Sequence, residues 1–304
     1  MRKKIVITGA TGLIGKNIAS KLIALGNKVI ILTRLASKAK RTIPGAADYV
    51  IWNNNNIDNL KSSLDGADGI IHLAGENVMA KRWDEKHKKN IYNSRINTTQ
   101  NLVDIIKQLN HKPEAFICAS AIGFYGSNNL QVDEYSPQGD DFLANVVGDW
   151  EKESRKVEEA GVRNVNIRTG IVLDKNEGAL AKMLLPFKLF IGGPLGSGKQ
   201  WFPWIHIDDI TELFLFALNN KDVSGVINGV SPQSITMNEF ATKLGKVLNR
   251  PSIFRVPEFV LRIALGEGAS SIITGTNVIP KRTIDYGFKY MFDDINNALN
   301  NLLH

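Results

Sequence analysis

Short apolar runs separated by helical stretches set the pattern along this chain. Residues 5–8 form the first run, a glycine turn follows, and Ile14, Ile18 and Leu22 then recur at four-residue spacing. That is the signature of strand, turn and helix. Further strands are predicted over residues 28–33, 49–52, 69–74, 115–121, 165–173 and 225–230. A long helix is predicted over 85–109, with Leu102, Ile105, Ile106 and Leu109 inward. A second is predicted over 141–160, with Phe142, Val146 and Trp150 on one face, and a third over 208–218. Strands alternating with helices predict an α/β fold, a Rossmann doubly wound parallel sheet. Residues 1–173, completed by 204–230, are assigned to this nucleotide-binding domain. Residues 174–203 and 231–304 have less regular spacing and more Pro and Gly, and are assigned to a smaller substrate-side lobe. No internal repeat is visible, and the asparagine run at 53–56 reads as a polar loop.

Composition narrows the class without changing it. The 304 residues are 43% apolar and 22% charged, ordinary for a globular protein. Long-range disorder, collagen-like repeats and coiled coil are excluded. The longest apolar stretches, such as 115–122, fall short of the ~18 residues of a membrane helix, so no membrane partner is expected. Met1-Arg2-Lys3-Lys4 is followed by only three apolar residues before a Thr and a glycine turn. It reads as the lead into a cytosolic first strand, not as a signal peptide. The single cysteine, Cys118, excludes an internal disulfide and fits a reducing compartment, so a cytoplasmic location is expected. In its apolar run it reads as a buried small hydrophobe.

Charge is unevenly placed. Lys and Arg number 37 against 30 Asp and Glu, a net charge of +7. Ten basic residues and no acid fall in the first 41 positions, which leaves the remainder at −3. A nucleic-acid binder calls for a basic stripe backed by aromatics or a reading helix. Here the excess sits in the segment that carries a phosphate-binding signature, so no nucleic-acid partner is expected. A basic face that only aids solubility is the plain alternative.

The signature is Gly9-Ala10-Thr11-Gly12-Leu13-Ile14-Gly15, between a strand and a helix. Glycines there allow a tight turn and close approach of a pyrophosphate, whose charge the helix amides and dipole favour. Gly9, Thr11, Gly12, Leu13, Ile14 and Gly15 are therefore cofactor-binding candidates. An NAD site usually has an acid at the end of the second strand. This chain has Thr33-Arg34 there, Lys38 behind, and no carboxylate through residue 47. A guanidinium fork suits a 2′-phosphate, so NADP(H) is expected over NAD(H).

Family landmarks run along the whole chain. They are Leu73-Ala74-Gly75-Glu76-Asn77, Arg82-Trp83, Ser94-Arg95-Ile96, Ser120 through Gly126, Trp150-Glu151, Gly192 through Gly198, Trp204 through Asp208, and Gly287-Phe288. With the glycine turn, these resemble the extended short-chain dehydrogenase/reductases, and within them the atypical, YfcH-like "epimerase family" subgroup. The resemblance implies an NADP(H)-binding Rossmann domain and a small C-terminal domain at about 250–298; it does not set the substrate. After the fourth strand, Leu73, Ala74, Gly75 and Glu76 are placed beside the cofactor, Glu76 to accept from ribose hydroxyls. Arg82 is placed to reach the phosphates or an acidic substrate. A solvated or helix-capping acid and a surface arginine beside Trp83 are the plain alternatives.

The usual proton relay of such enzymes, Tyr-x-x-x-Lys, is missing. None of the tyrosines at 49, 92, 125, 135, 286 and 290 has a lysine four positions on. Counting from Glu151 puts Leu143 and Val147 in the Tyr and Lys slots; a one-residue shift puts Phe142 and Val146 there. The usual Ser or Thr four residues before the Tyr of the Tyr-Gly pair is Ala121, and Ser120 beside it points to the opposite strand face. Tyr125 and Ser120 remain the catalytic candidates, with a packed aromatic as the alternative for Tyr125. Adjacent acids Asp133 and Glu134 read as solvated loop residues. Arg95 on the long helix is a candidate clamp for a ligand carboxylate, or a partner for an acid. The run Gly193 through Gln200 resembles a Walker A loop, but lacks the final Ser or Thr and a following helix. It reads instead as a loop over the substrate, with Lys199, Gln200 and Trp204 facing the cleft. His206 reads as structural, and no histidine shows metal-ligand spacing, so no metal is expected. The expected function is an NADP(H)-dependent oxidoreductase or epimerase-like enzyme on a small carbonyl or sugar-like substrate. The alternative is a non-catalytic NADP(H)-binding or redox-sensing protein. A monomer or homodimer is expected, the dimer by analogy with superfamily members that pair through helices.

Overall fold

Alternate residues of the central strands face opposite sides of one sheet, and both sides are covered, which is why these strands read as unbroken apolar runs. A computed structural model describes residues 2–52, 57–128 and 130–304; the loop predicted at 53–56 lies outside the described residues. In chain order the strands are β1 (Lys4–Thr8), β2 (Lys28–Thr33), β3 (Asp48–Ile51), β4 (Gly69–His72), β5 (Ala115–Ala121) and β6 (Gln131–Val132). Then come β7 (Arg163–Thr169), β8 (Ile171–Leu173), β9 (Trp204–His206), β10 (Gly225–Gly229) and β11 (Asn277–Val278). The helices used below are α1 (Leu13–Ala24), α2 (Ala36–Thr42), α3 (Ile57–Leu64), α4 (Glu85–Lys107) and α5 (Phe142–Arg155). They continue with α6 (Gly178–Lys188), α7 (Ile207–Asn219) and α8 (Met237–Leu248).

Seven strands pair in parallel in the order β3-β2-β1-β4-β5-β7-β10, the Rossmann arrangement. Ile5, Ile7, Ile31, Ile71, Ile117 and Ile167 pack on one side with Ile18 and Leu22 of α1 and Phe214 of α7. Val6, Ile30, Leu32, Ile70, Phe116 and Cys118 pack on the other with Ile91 and Ile106 of α4 and Val146 and Trp150 of α5. Strand order reverses between β1 and β4, so a crevice opens at their carboxyl ends.

The strand predicted over 165–173 is two strands in two sheets. Gly170 separates them: its amide donates to the Gly229 carbonyl at 3.0 Å, and the next amide, Ile171, donates to Pro203 at 2.8 Å. A Cβ on Gly170 would lie 2.5 Å from the Pro203 oxygen, so only glycine permits the change of partner. β8 then pairs with β9. The helix predicted over 141–160 gives way after Arg155 to a 3-10 turn, which Gly161 closes at φ 77°.

The last part of the chain shares the core of the sheet. Phe240 and Leu244 of α8 and Ala298, Leu299 and Leu302 of the final helix (Ile295–Leu303) belong to the same apolar cluster as Ile5 and Ile7. The buried Asp209 side chain accepts from the amides of Met291 at 2.7 Å and Phe292 at 3.0 Å, pinning the segment before that helix to the start of α7. β6 pairs with β11, so the loop after β5 is tied to the same region. No helix among the described residues is long and apolar enough to cross a membrane.

Candidate functional site

The three glycines after β1 do different work. Gly9 has φ +67°, and a Cβ there would lie 2.5 Å from the carbonyl carbon and oxygen of Leu73, so glycine lets the ends of β1 and β4 touch. A Cβ on Gly15 would lie 2.5 Å from the Gly9 oxygen and 2.7 Å from Ala10 Cα, so glycine lets α1 close onto its own turn. Gly12 is exposed, with an ordinary φ of −82°, and its Cβ would meet only the Gly9 oxygen at 3.4 Å. Neither close packing nor a positive φ requires glycine there. Gly12 is also the N-cap of α1, with no side-chain cap and no acid in the first turn. The amides of Leu13, Ile14 and Gly15 thus head a helix left uncapped toward the crevice, beside the half-buried Thr11.

At the end of β2, Thr33 Oγ1 accepts from the Leu35 amide at 3.2 Å, turning the chain into α2. Arg34 and Lys38 are exposed, and neither side chain is held by a hydrogen bond or ion pair among the described residues.

The crevice floor under β4 is locked from behind. Thr8 Oγ1 accepts from the amides of Leu73 and Ala74 at 3.1 and 3.2 Å, so its hydroxyl proton goes to His72 Nδ1, 2.7 Å away. His72 Nε2–H then donates to Thr99 Oγ1 at 3.0 Å, which also accepts from Trp150 Nε1 and donates to the Arg95 carbonyl. The network assigns the tautomer. Burial pushes the His72 pKa down to about 3, so the ring is neutral. Past this floor, the Glu76 amide takes the Ser94 hydroxyl as acceptor at 2.8 Å. The Arg95 guanidinium lies against Gly75 and over the Trp150 ring at 5.2 Å, and donates to the Ile91 carbonyl at 3.1 Å. Burial pushes it down to about 10, with the Glu76 charge opposing, so it stays cationic at neutral pH. Leu73, Ala74, Gly75, Glu76 and Arg95 are therefore brought together at the mouth. Arg82 is exposed and lies across Gly266, with Trp83 against Gly268 and Lys88 paired with Glu267. The loop after β4 is clasped to the C-terminal part of the chain.

At the end of β5 the structure holds a buried ionic network. Arg168 on β7 makes two hydrogen bonds of 2.8 Å to the two oxygens of Glu151 on α5, and Ser120 donates to the same carboxylate at 2.5 Å. Arg168 also donates to the Tyr125 hydroxyl at 3.0 Å, and that hydroxyl donates to Asn228 at 2.8 Å. Burial opposes the Arg168 charge, but the bonds and charge of Glu151 outweigh it and hold the guanidinium above its ordinary value. Burial raises Tyr125 to about 12 although Arg168 pulls the other way. Tyr125 is 2% exposed and sits in a 3-10 turn, Ile122–Tyr125, beyond the strand itself. Both catalytic candidates are thus engaged inside the protein. Arg168, Glu151 and Asn228 were not singled out from the sequence as a set. A charged residue inside the apolar run at 165–173 was the available signal, since a buried arginine demands a partner. Glu134, read as solvated, is buried and accepts from the amides of Asn228 at 2.9 Å and Arg282 at 3.1 Å.

The glycine-rich loop before β9 is packed, not open. A Cβ on Gly193 would strike the Phe254 backbone, and Gly196 and Gly198 are buried. Gln200 donates to the carbonyls of Leu195 at 2.9 Å and Ile272 at 3.2 Å, so it staples this loop. Lys199 alone of the trio is exposed. Trp204, expected to face the cleft, is wholly buried within the sheet's apolar cluster and presents no surface; its large ring is core. His206 Nδ1 accepts from the Asp208 amide at 3.0 Å and caps α7.

Residues 5–228 match the model of the NAD dependent epimerase/dehydratase family. The chain belongs to that family. As a family member it carries a second match, over residues 256–302, to DUF1731, a domain of unknown function. This epimerase-family chain is 40% identical over 296 residues to the chloroplastic homologue of epimerase family protein SDR39U1 from Arabidopsis thaliana, covering 96% of this chain and 84% of that one. It is 35% identical over 301 residues to the epimerase family protein YfhF of Bacillus subtilis, covering 98% and 97%. The crystal structure of human epimerase family protein SDR39U1 (isoform 2) with NADPH superposes with a TM-score of 0.89 at 36% identity, covering 98% of each chain.

Proposed function

We propose that this chain binds NADP(H) across the carboxyl ends of β2, β1 and β4, and acts as an oxidoreductase or epimerase-like enzyme on a small carbonyl or sugar-like substrate. The observation that carries the reading is Gly12: exposed and conformationally ordinary, with only the Gly9 oxygen at 3.4 Å from a Cβ built there, it has no packing reason to be glycine, and a pyrophosphate lying against it supplies one. The uncapped amides of α1 supply an anion seat for the pyrophosphate. Arg34 and Lys38, unengaged at the end of β2, supply charge for a 2′-phosphate. The human relative, similar along nearly its whole length, was crystallised with NADPH. When bound, the nicotinamide supplies a hydride; the chain's part is to hold it and to shape the site beside β5.

Fluorescence titration of Arg34→Asp tests the cofactor assignment. A charge reversal beside the 2′-phosphate is expected to weaken NADPH binding by about tenfold or more and leave NADH nearly unchanged. Equal NADPH affinity in the variant and the parent sinks the assignment. A second reading, NADP(H) binding without turnover, is favoured by one observation: Ser120 and Tyr125 are both engaged inward. Substrate-dependent loss of NADPH absorbance separates the two, since a sensor binds the cofactor and consumes none.

A further inference from the structure

Where a proton relay is usual, this chain has a hydrocarbon wall. A methyl group on Gly123, in the turn after β5, would touch Leu143 Cβ at 3.5 Å and Val147 Cγ2 at 4.0 Å. These side chains stand one turn apart on α5 and face the end of the strand, Val147 buried behind the turn and Leu143 half-buried. They are the pair that counting from Glu151 puts in the Tyr and Lys slots; of the two apolar registers, this is the one that faces the strand end. The hydroxyls close by are engaged elsewhere: Ser120 donates to Glu151, and the enclosed Tyr125 donates to Asn228. Preceding Leu143, Phe142 packs edge-on against Trp83 at 5.5 Å, and both rings are only half-buried. This aromatic pair lies on the neighbouring face of α5, toward α4.

We infer that the site takes a planar, conjugated, electron-poor hydride acceptor of the quinone type, not an isolated ketone or aldehyde. This rests on the NADP(H) reading above. An isolated ketone that gains a hydride becomes a localised alkoxide and demands an acid within hydrogen-bond reach. Leu143 and Val147 offer none. A quinone that gains a hydride spreads the negative charge over its ring and oxygens, and water supplies the one proton needed to complete the hydroquinone. NADPH is oxidised to NADP+ by loss of that hydride, so two electrons and one hydrogen come from the cofactor and one proton from solvent. A flat ring also fits an apolar wall, where a hydroxyl-rich sugar would leave its polar groups unpaired.

The test uses the full chain with menadione and cyclohexanone as probes, after NADPH binding has been measured by fluorescence on the same sample. NADPH loss above the protein-free control is expected to be about tenfold or more faster with menadione than with cyclohexanone. Calorimetry without cofactor gives a second readout: Leu143→Asn, which wets the wall, is expected to weaken menadione binding about tenfold, and Leu143→Met to retain it. Cyclohexanone turned over as fast as menadione overturns the inference. So does a protein that binds NADPH and reduces no menadione, or an Leu143→Asn affinity equal to the parent's. A chain that binds no NADPH fails at the first step instead, and that result removes the cofactor reading itself.

Discussion

His72 shows how one residue stiffens the crevice without touching a ligand. Its two ring nitrogens join Thr8, which carries the amides at the end of β4, to Thr99 and Trp150 on the helices behind. The ring is neutral because burial holds its pKa near 3 against an ordinary 6.5. An unfolded chain picks up that proton below pH 6.5 and the folded one does not, so stability from this residue is full above pH 6.5 and falls toward pH 3. Urea unfolding at several pH values is expected to show the parent losing about 1.4 kcal/mol more per pH unit than His72→Gln once the pH is well below 6.5. Parallel pH dependences for the two proteins contradict this. His72 stood in plain view inside an apolar run, but its partners lie 64 and 27 positions away along the chain, beyond any local pattern. A separation of 17 positions, across a helix and a strand, likewise hid Arg168 and Glu151 as a pair.

Among elements, the β1–α1 unit was the most legible, since strand, glycine spacing and helix period all agree locally. What spacing does not reveal is which glycine serves the fold and which serves a ligand. The structure shows which glycines the packing requires, and substitution tests the rest. Gly15→Ala forces a methyl into the turn and is expected to cost about 1–3 kcal/mol of stability. Gly12→Ala is expected to cost about 1 kcal/mol or less, as an N-cap change, yet to weaken NADPH binding about tenfold or more. Thermal unfolding beside fluorescence titration checks both; a Gly12→Ala protein with parental NADPH affinity breaks the assignment. Helix α5 marks the limit of periodicity. Phe142, Val146 and Trp150 do share a face, but that face looks toward α4, while Leu143 and Val147 look toward the strand end. Amphipathic spacing names a buried face, not the neighbour that buries it. Trp204 failed for a related reason: an alternating aromatic at a sheet's carboxyl edge fits a cleft or a core equally well, and here the core holds it.

Across the whole molecule, the last fifty residues are fastened by polar contacts as much as by apolar ones. Asp209 carries two backbone amides from this segment, and Glu134 carries the Arg282 amide along with that of Asn228. Asp209→Ala strands two amides and is expected to destabilise by about 2–5 kcal/mol, with faster hydrogen exchange concentrated between residue 287 and the carboxyl terminus. Exchange spread evenly over the sheet argues against that local role. The irregular spacing of this tail concealed how deeply it enters the protein, because the contacts that fasten it span long stretches of chain, such as the 82 positions from Asp209 to Met291. The shared apolar cluster fixes an order of events during synthesis. The apolar cluster that begins with Ile5 and Ile7 is complete only when Leu299 and Leu302 have been added, so a nascent chain that has emerged with its glycine turn still waits for the helix Ile295–Leu303 before that cluster closes.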